Sequence, residues 1–276
     1  SNGCDGIWSS LTDKMDKQTI DKLPGTVKII SNFAVGFGNI DLEAAKKRNI
    51  AVTNTPDVLT DATAEIAILI LLGAARRATE GIEAAKTKNW KWTADFLMGK
   101  QLTGSRLGIL GMGRIGRAVA DRARSFGMTI HYFNRSRLKK DLEKDSIYHD
   151  SLESLLSVSD FFSINCPATK ETKHIINKES IKFFPDGAIV SNSARGDMID
   201  DEAMVVALKS GKIYSLGIDV YNGEPDIHPD YLTLPNVFVL PHLGSATKKT
   251  RTAMADLAVN NLKDFFEKGK CMNQVN

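Results

Sequence analysis

The feature that most limits the fold is a short apolar run, Leu107 to Leu110, followed at once by Gly111-Met112-Gly113-Arg114-Ile115-Gly116 and a helical pattern from Ile115 to Phe126. A strand that ends in G-x-G-x-x-G and opens a helix is built to bring backbone against an anionic ligand. Gly111 permits the tight turn, and Gly113 lets the backbone approach a pyrophosphate. Gly116 lets the helix sit close to the strand, and the helix N-terminus faces the negative charge. The same alternation continues along the chain. Met128 to Phe133, Asp160 to Ile164, Ala188 to Ser191, Tyr214 to Val220 and Val237 to Leu240 read as strands, and Ser151 to Val158 and Asp201 to Lys209 as helices. Alternation of this kind predicts βαβ units and a parallel sheet, an α/β protein.

The first fifty-odd residues repeat the pattern on a smaller scale. Gly6 to Trp8, Val27 to Ser31 and Ile50 to Val52 read as strands, and Gln18 to Leu23 and Leu42 to Arg48 as helices. A long helical stretch, Ala62 to Lys88, separates the two blocks, and a last helix runs from about Ala246 to Lys268. The expected architecture is two α/β lobes with a cleft between them, which suits 276 residues. The expected domains are 1–58 with 248–276, and 59–247. The chain is 42% hydrophobic and 25% charged, which supports a sizeable core and argues against disorder. Its 36 basic and 33 acidic residues leave a formal charge of +3 without a long run of one sign, so neither nucleic acid nor a membrane surface is an expected partner. The longest apolar run, Ile66 to Ala75, is about half a bilayer span. Cys4, Cys166 and Cys271 form neither a disulfide framework nor a zinc-type spacing, and no basic-then-apolar leader opens the chain. A cytoplasmic protein without a metal is the expectation.

The second half of the dinucleotide fingerprint departs from the usual form. An acidic residue about 20 positions on would hold the ribose 2′-hydroxyl. Here the strand ends in Asn134-Arg135-Ser136-Arg137. The carboxylate that would repel a 2′-phosphate is absent, and two guanidinium groups that could pair with one are present. NADP is the expected cofactor, with NAD also accepted. Three later segments each set a reactive side chain just past a strand. They are Asn192-Ser193-Ala194-Arg195-Gly196, Asp219-Val220-Tyr221-Asn222-Gly223-Glu224-Pro225 and Pro241-His242-Leu243-Gly244. Ligands of open α/β sheets bind at the carboxyl ends of strands, so Arg195, Glu224 and His242 are expected at one cleft.

At these residues the chain resembles the D-isomer-specific 2-hydroxyacid dehydrogenases, most of all their glyoxylate/hydroxypyruvate reductase branch. The resemblance extends through Ser31 to Asp41, Thr53-Asn54-Thr55-Pro56, Thr60 to Glu65, the glycine loop, Cys166-Pro167 and the three segments above. It implies a doubly wound Rossmann lobe and a smaller flavodoxin-like substrate lobe to which the last helix returns. Relatives begin earlier, which implies that about one strand and one helix of the substrate lobe are missing here. By resemblance, Arg195 holds the substrate carboxylate, His242 is the acid/base, and Glu224 orients His242 and favours its protonated form. The backbone at Ala34, Val35 and Gly36 is implied to clamp the carboxylate again. Arg114, Ile115, Cys166, Pro167, Ala194, Asp219, His242 and Gly244 are implied to line the cofactor, with Asp219 at the nicotinamide carboxamide. The implied reaction is reduction of a small 2-oxoacid to the D-2-hydroxyacid, by a homodimer joined through the Ala62 to Trp92 arm. A 3-phosphoglycerate-type dehydrogenase and a dinucleotide-sensing scaffold are the alternatives. Glu224 argues against the formate dehydrogenase branch, where an uncharged amide is used.

Overall fold

Beyond the glycine loop the chain keeps returning to one sheet, and before it a smaller sheet forms. A computed structural model describes residues 3–276; Ser1 and Asn2, at the start of the expected first domain, lie outside the described residues. The chain divides into two compact units, Ser1–Thr60 with Ser245–Asn276, and Asp61–Gly244.

In the first unit, β1 (Gly6–Ser9), α1 (Lys17–Asp21), β2 (Ile29–Asn32), α2 (Leu42–Lys47) and β3 (Ala51–Thr53) follow in order. The strands are parallel and lie in the order β1-β2-β3. Asp16 and Asp41 cap the two helices by accepting from Thr19 and Ala44 N–H. Ile20, Val27, Ile30, Ala45, Ile50 and Val52 form the core. The closing helix, Lys248–Lys268, lies on β2 and β1. Its buried positions Thr250, Met254, Ala258 and Asn261 recur every three or four residues, one stripe of a helix.

The second unit opens with α3 (Thr60–Ala75, whose first residue belongs to the other unit) and α4 (Ala78–Thr87). The single helix expected over Ala62 to Lys88 is therefore two. The chain turns at Arg77, which sits in the left-handed region at φ 55°. Its guanidinium is held by both Glu80 carboxylate oxygens, at 2.7 and 2.6 Å, and Lys100 N–H takes the Ala75 carbonyl at 2.8 Å. An incoming segment thus satisfies a carbonyl that the next helical turn would have used. Then come β4 (Arg106–Leu110), α5 (Arg114–Ser125), β5 (Thr129–Phe133), α6 (Lys140–Glu143), β6 (Ile147–His149), α7 (Leu152–Val158) and β7 (Phe161–Ile164). The rest are α8 (Lys178–Ile181), β8 (Ala188–Asn192), α9 (Asp201–Ser210), β9 (Ile213–Ile218), α10 (Pro229–Thr233) and β10 (Val237–Val239).

All seven strands of this sheet are parallel, in the order β10-β9-β8-β7-β4-β5-β6. Strand order reverses between β4 and β7, as in a doubly wound Rossmann sheet, and ligands bind at that point. One core joins Ala64, Ala67, Leu71, Val119 and Ala120 to the β4 and β5 residues Leu107, Ile109 and Ile130. The other joins Leu155, Phe162, Phe184, Val190, Met204, Leu208 and Leu216. With both faces covered, the strands read as continuous apolar runs, which is why they were legible.

Candidate active site

Gly111 follows β4 at φ 93°, and a Cβ there would lie 2.5 Å from Cys166 N. A Cβ on Gly116 would lie 2.1 Å from the Gly111 carbonyl oxygen, so this turn admits no side chain at either position. Gly113 is the opposite case: it is exposed, and a Cβ there would meet nothing within 4 Å. It precedes α5, whose N-terminus has no side-chain cap. Open backbone at an uncapped helix N-terminus fits a pyrophosphate, so these residues fit a dinucleotide. Arg114 and Ile115 form the first turn of α5. Asn165, just past β7 at the order reversal, keeps its Oδ1 buried with no partner among the described residues.

The Asn134 to Arg137 segment follows β5 and divides its work. Asn134 Oδ1 accepts from Met112 N–H at 2.7 Å and so clasps the glycine loop. Arg137 donates to both oxygens of the buried Glu143 at 2.9 Å each, and Glu143 also accepts from Tyr132 Oη at 2.6 Å. Arg137 is thus already matched to a carboxylate. Arg135 and Ser136 are exposed; the Glu171 pKa is lowered mainly by the Thr169 hydroxyl and its own backbone N–H, against burial, with a smaller through-space contribution from Arg135. The sequence offered both arginines to a phosphate. It gave no sign of Glu143, which a short helix unforeseen in the sequence, α6, brings back to Arg137.

Cys166 stands 3.9 Å from Met198 Sδ, and burial pushes its thiol up to about 11. Pro167 beside it is exposed. At the end of β8, Asn192 organises the turn that carries Arg195: its Oδ1 accepts from Ala194 N–H at 2.9 Å, and its Nδ2 donates to the Arg195 carbonyl at 2.7 Å. Arg195 Nη1 donates to the Ala194 carbonyl at 2.6 Å. Burial lowers the Arg195 pKa against the opposing charges of Glu224 and Asp197, and arginine stays charged throughout.

His242 follows β10, and its Nδ1 lies 2.6 Å from Glu224 Oε2. The other Glu224 oxygen accepts from Tyr221 N–H at 3.0 Å. Burial raises the Glu224 pKa, but the His242 and Tyr221 hydrogen bonds and the His242 and Arg195 charges outweigh it, and the net shift is downward. Glu224 and His242 therefore do meet, and Arg195 lies near enough for its charge to act on Glu224. Asp219 accepts from Leu243 N–H at 2.7 Å and Gly244 N–H at 2.9 Å, one on each oxygen. It holds the His242 loop; burial raises its pKa against those N–H bonds. Asn192 and the Tyr221 N–H are contributors that sequence reasoning missed. The only hint of Asn192 is an amide residue at a strand end, a common site for satisfying turn backbone. A cavity of about 240 Å³ lined by Arg77, Tyr214, Asn236 and Phe238 lies at the amino ends of β9 and β10, opposite this chemistry.

In the first unit, Ala34, Val35 and Gly36 form a loop after β2. Their carbonyls accept from Thr55 N–H, Asn54 Nδ2 and Asn32 Nδ2 at 2.8, 2.8 and 2.9 Å.

Comparison with known proteins places this arrangement. Residues 68–244 match the model of the D-isomer specific 2-hydroxyacid dehydrogenase NAD binding domain. The chain is 47% identical over 272 residues to the glycerate dehydrogenase of Hyphomicrobium methylovorum, covering 98% of this chain and 84% of that protein. The crystal structure of a glyoxylate reductase from Paecilomyes thermophila superposes with a TM-score of 0.93 at 41% identity, over 98% of this chain and 83% of that one. The NADPH-dependent glyoxylate/hydroxypyruvate reductase of Sinorhizobium meliloti, solved with NADP and malonate, gives 0.91 at 34% identity, with 98% and 83% covered. From its glycine loop to the carboxylate-held histidine after β10, the chain belongs to the D-isomer specific 2-hydroxyacid dehydrogenase family.

Proposed function

We propose that the protein reduces glyoxylate or hydroxypyruvate to the D-2-hydroxyacid at the expense of a reduced nicotinamide dinucleotide. The observation that carries this reading is the Glu224–His242 pair at 2.6 Å near the half-buried Arg195, whose charge acts on Glu224. When bound, the reduced nicotinamide supplies the hydride that adds to C2 of the oxoacid. Arg195 holds the planar carboxylate through its guanidinium fork and draws charge from the carbonyl. Glu224 accepts from Nδ1–H and so fixes the ring, leaving Nε2 to deliver a proton to the carbonyl oxygen as the new C–H bond forms. In the oxidative direction the same nitrogen takes the proton back. The Val35 and Gly36 N–H groups of the first unit are proposed to receive a carboxylate.

NADP is the proposed preference, with NAD accepted. Its support is the absence of an acidic residue at Asn134 and the exposed guanidinium of Arg135. The glycine loop, Ser136, Pro167, Ala194 and Gly244 line the dinucleotide in this reading, and Cys166 is an apolar filler. Asp219 serves the nicotinamide end by fixing the loop of His242. We also propose a homodimer through residues 62–92. The exposed Leu69, Ile82, Trp90 and Trp92 support it, being large apolar groups along one stretch of chain. No helix among the described residues is long and apolar enough to cross a membrane. A cytoplasmic location is the accompanying proposal, supported by three cysteines without a disulfide spacing.

Assays of glyoxylate, hydroxypyruvate and 3-phosphohydroxypyruvate, each with NADPH and NADH, test the reading. The first two substrates with NADPH should give the highest kcat/KM. Arg195→Ala should lower kcat and kcat/KM together by roughly a hundredfold or more. Turnover near the wild-type rate in that variant would remove Arg195 from the site.

A further inference from the structure

The loop that follows β2 is held by its carbonyls. Thr55 N–H donates to the Ala34 carbonyl at 2.8 Å, Asn54 Nδ2 to that of Val35 at 2.8 Å, and Asn32 Nδ2 to that of Gly36 at 2.9 Å. Three successive carbonyls are therefore each held by a donor. Val35 and Gly36 N–H have no acceptor among the described residues, although both residues are only half-exposed. Backbone amides left unpaired in this way usually meet water or a ligand, and adjacent free N–H groups form an anion-binding concavity. The donors are themselves fixed. Asn32 is buried, and its Oδ1 accepts from Ser9 Oγ at 3.1 Å. Asn54 is buried, and its backbone carbonyl accepts from Asn261 Nδ2 of the closing helix at 3.0 Å. Its backbone N–H donates to the Asn273 carbonyl at 3.2 Å.

We propose that Asn32 and Asn54 are positioning residues that turn the Val35 and Gly36 amides outward to bind a carboxylate. This rests on the 2-oxoacid reading above and assigns the side chains that preset its second carboxylate hold. An amide side chain is the right device. It donates to a carbonyl while adding no charge, and so leaves the loop neutral for an arriving anion. The preset geometry also spares the anion the cost of ordering the loop. The backbone bonds of Asn54 to Asn261 and Asn273 survive replacement of its side chain, so the Nδ2 donation can be removed alone.

The test compares Asn54→Ala, Asn54→Asp, Asn54→Gln and Asn32→Ala. The readouts are KM for glyoxylate, KM for NADPH, and the Kd of oxalate by titration calorimetry. Loss of one preset contact is expected to raise the glyoxylate KM and the oxalate Kd about tenfold, the scale of one hydrogen bond. The NADPH KM should stay within about twofold, a split that a general loss of structure would not produce. Asn54→Asp should be the worst variant, because it keeps the size, loses the donor and sets a negative charge behind the loop. Asn54→Gln, which retains the amide, should lie nearest wild type. Equal rises in both KM values, unchanged oxalate binding in the variants, or no oxalate binding by the wild type would each overturn the proposal. Failure of the wild type to reduce any 2-oxoacid would instead remove the functional reading, while oxalate calorimetry would still decide the role of the asparagines.

Discussion

Arg135 and Arg137 are two residues apart and chemically alike, yet their surroundings assign them opposite parts. Arg137 is held by both oxygens of Glu143, and that contact lowers the Glu143 pKa while it raises that of Arg137. Arg135 is exposed without such a carboxylate. Arg135→Ala should therefore raise the KM for NADPH several-fold more than that for NADH, since only NADPH carries the 2′-phosphate. Arg137→Ala should change the two KM values alike and show its main effect as a lowered melting temperature. Asn134→Asp should keep the clasp on Met112, because the Oδ1 acceptor survives, and add a charge that disfavours NADPH. Steady-state kinetics with both cofactors check all three. The pairing of Glu224 with His242 was thus readable in the sequence, because a carboxylate and an imidazole at neighbouring strand ends are natural partners. The partners of Arg137 and Asp219 were not, because Glu143 and the Leu243 and Gly244 amides lie in other elements.

Among elements, the edge of the large sheet carries a group of its own. His131 Nδ1 on β5 meets His149 Nε2 on β6 at 2.9 Å, and His149 Nδ1 meets Ser154 Oγ on α7 at 2.7 Å. One ring must donate and the other accept, so the pair persists only while the accepting nitrogen is unprotonated. Burial lowers the pKa of both, joined at His131 by the charges of His149 and Arg106 and opposed by Asp160; Asp150 opposes the shift at His149. The unfolded chain therefore takes up protons first as pH falls through the ordinary histidine value of 6.5, and the folded state loses stability below it. Melting temperatures between pH 7.5 and 5.5 should fall more steeply for wild type than for the His131→Leu/His149→Leu double variant. Equal slopes would show that other groups set the acid limit. This edge was also the least legible part of the fold. Central strands announced themselves as apolar runs, whereas β6 is a three-residue strand, Ile-Tyr-His, at the rim. The break at Arg77 was hidden for a related reason, since it depends on Lys100 reaching the end of α3.

Over the whole molecule, the alternation of strand and helix was sufficient to read two α/β units, and short connections account for each run of neighbouring strands, though not for the crossing from β6 to β7 at the order reversal. What local pattern does not carry is how the C-terminal residues are used. Val275 N–H donates to the Val52 carbonyl at 2.9 Å, Asn276 Oδ1 accepts from Val52 N–H at 2.8 Å, and Asn276 Nδ2 donates to the Ile50 carbonyl at 2.8 Å. The last residues thus extend the edge of the three-stranded sheet beside β3. Deleting residues 272–276 should lower the stability of the first unit alone, and calorimetry should show one melting transition moving down while the other holds. A single transition moving as a whole would mean that the units melt together. Because the first unit is sewn from two stretches that flank the second, its two parts leave the ribosome separated by the entire second unit. The second unit can complete its sheet during translation, while β1 to β3 wait, with much of their apolar surface exposed, for residues 245–276. Of the two units, the one whose strands emerge earlier is the one that closes later.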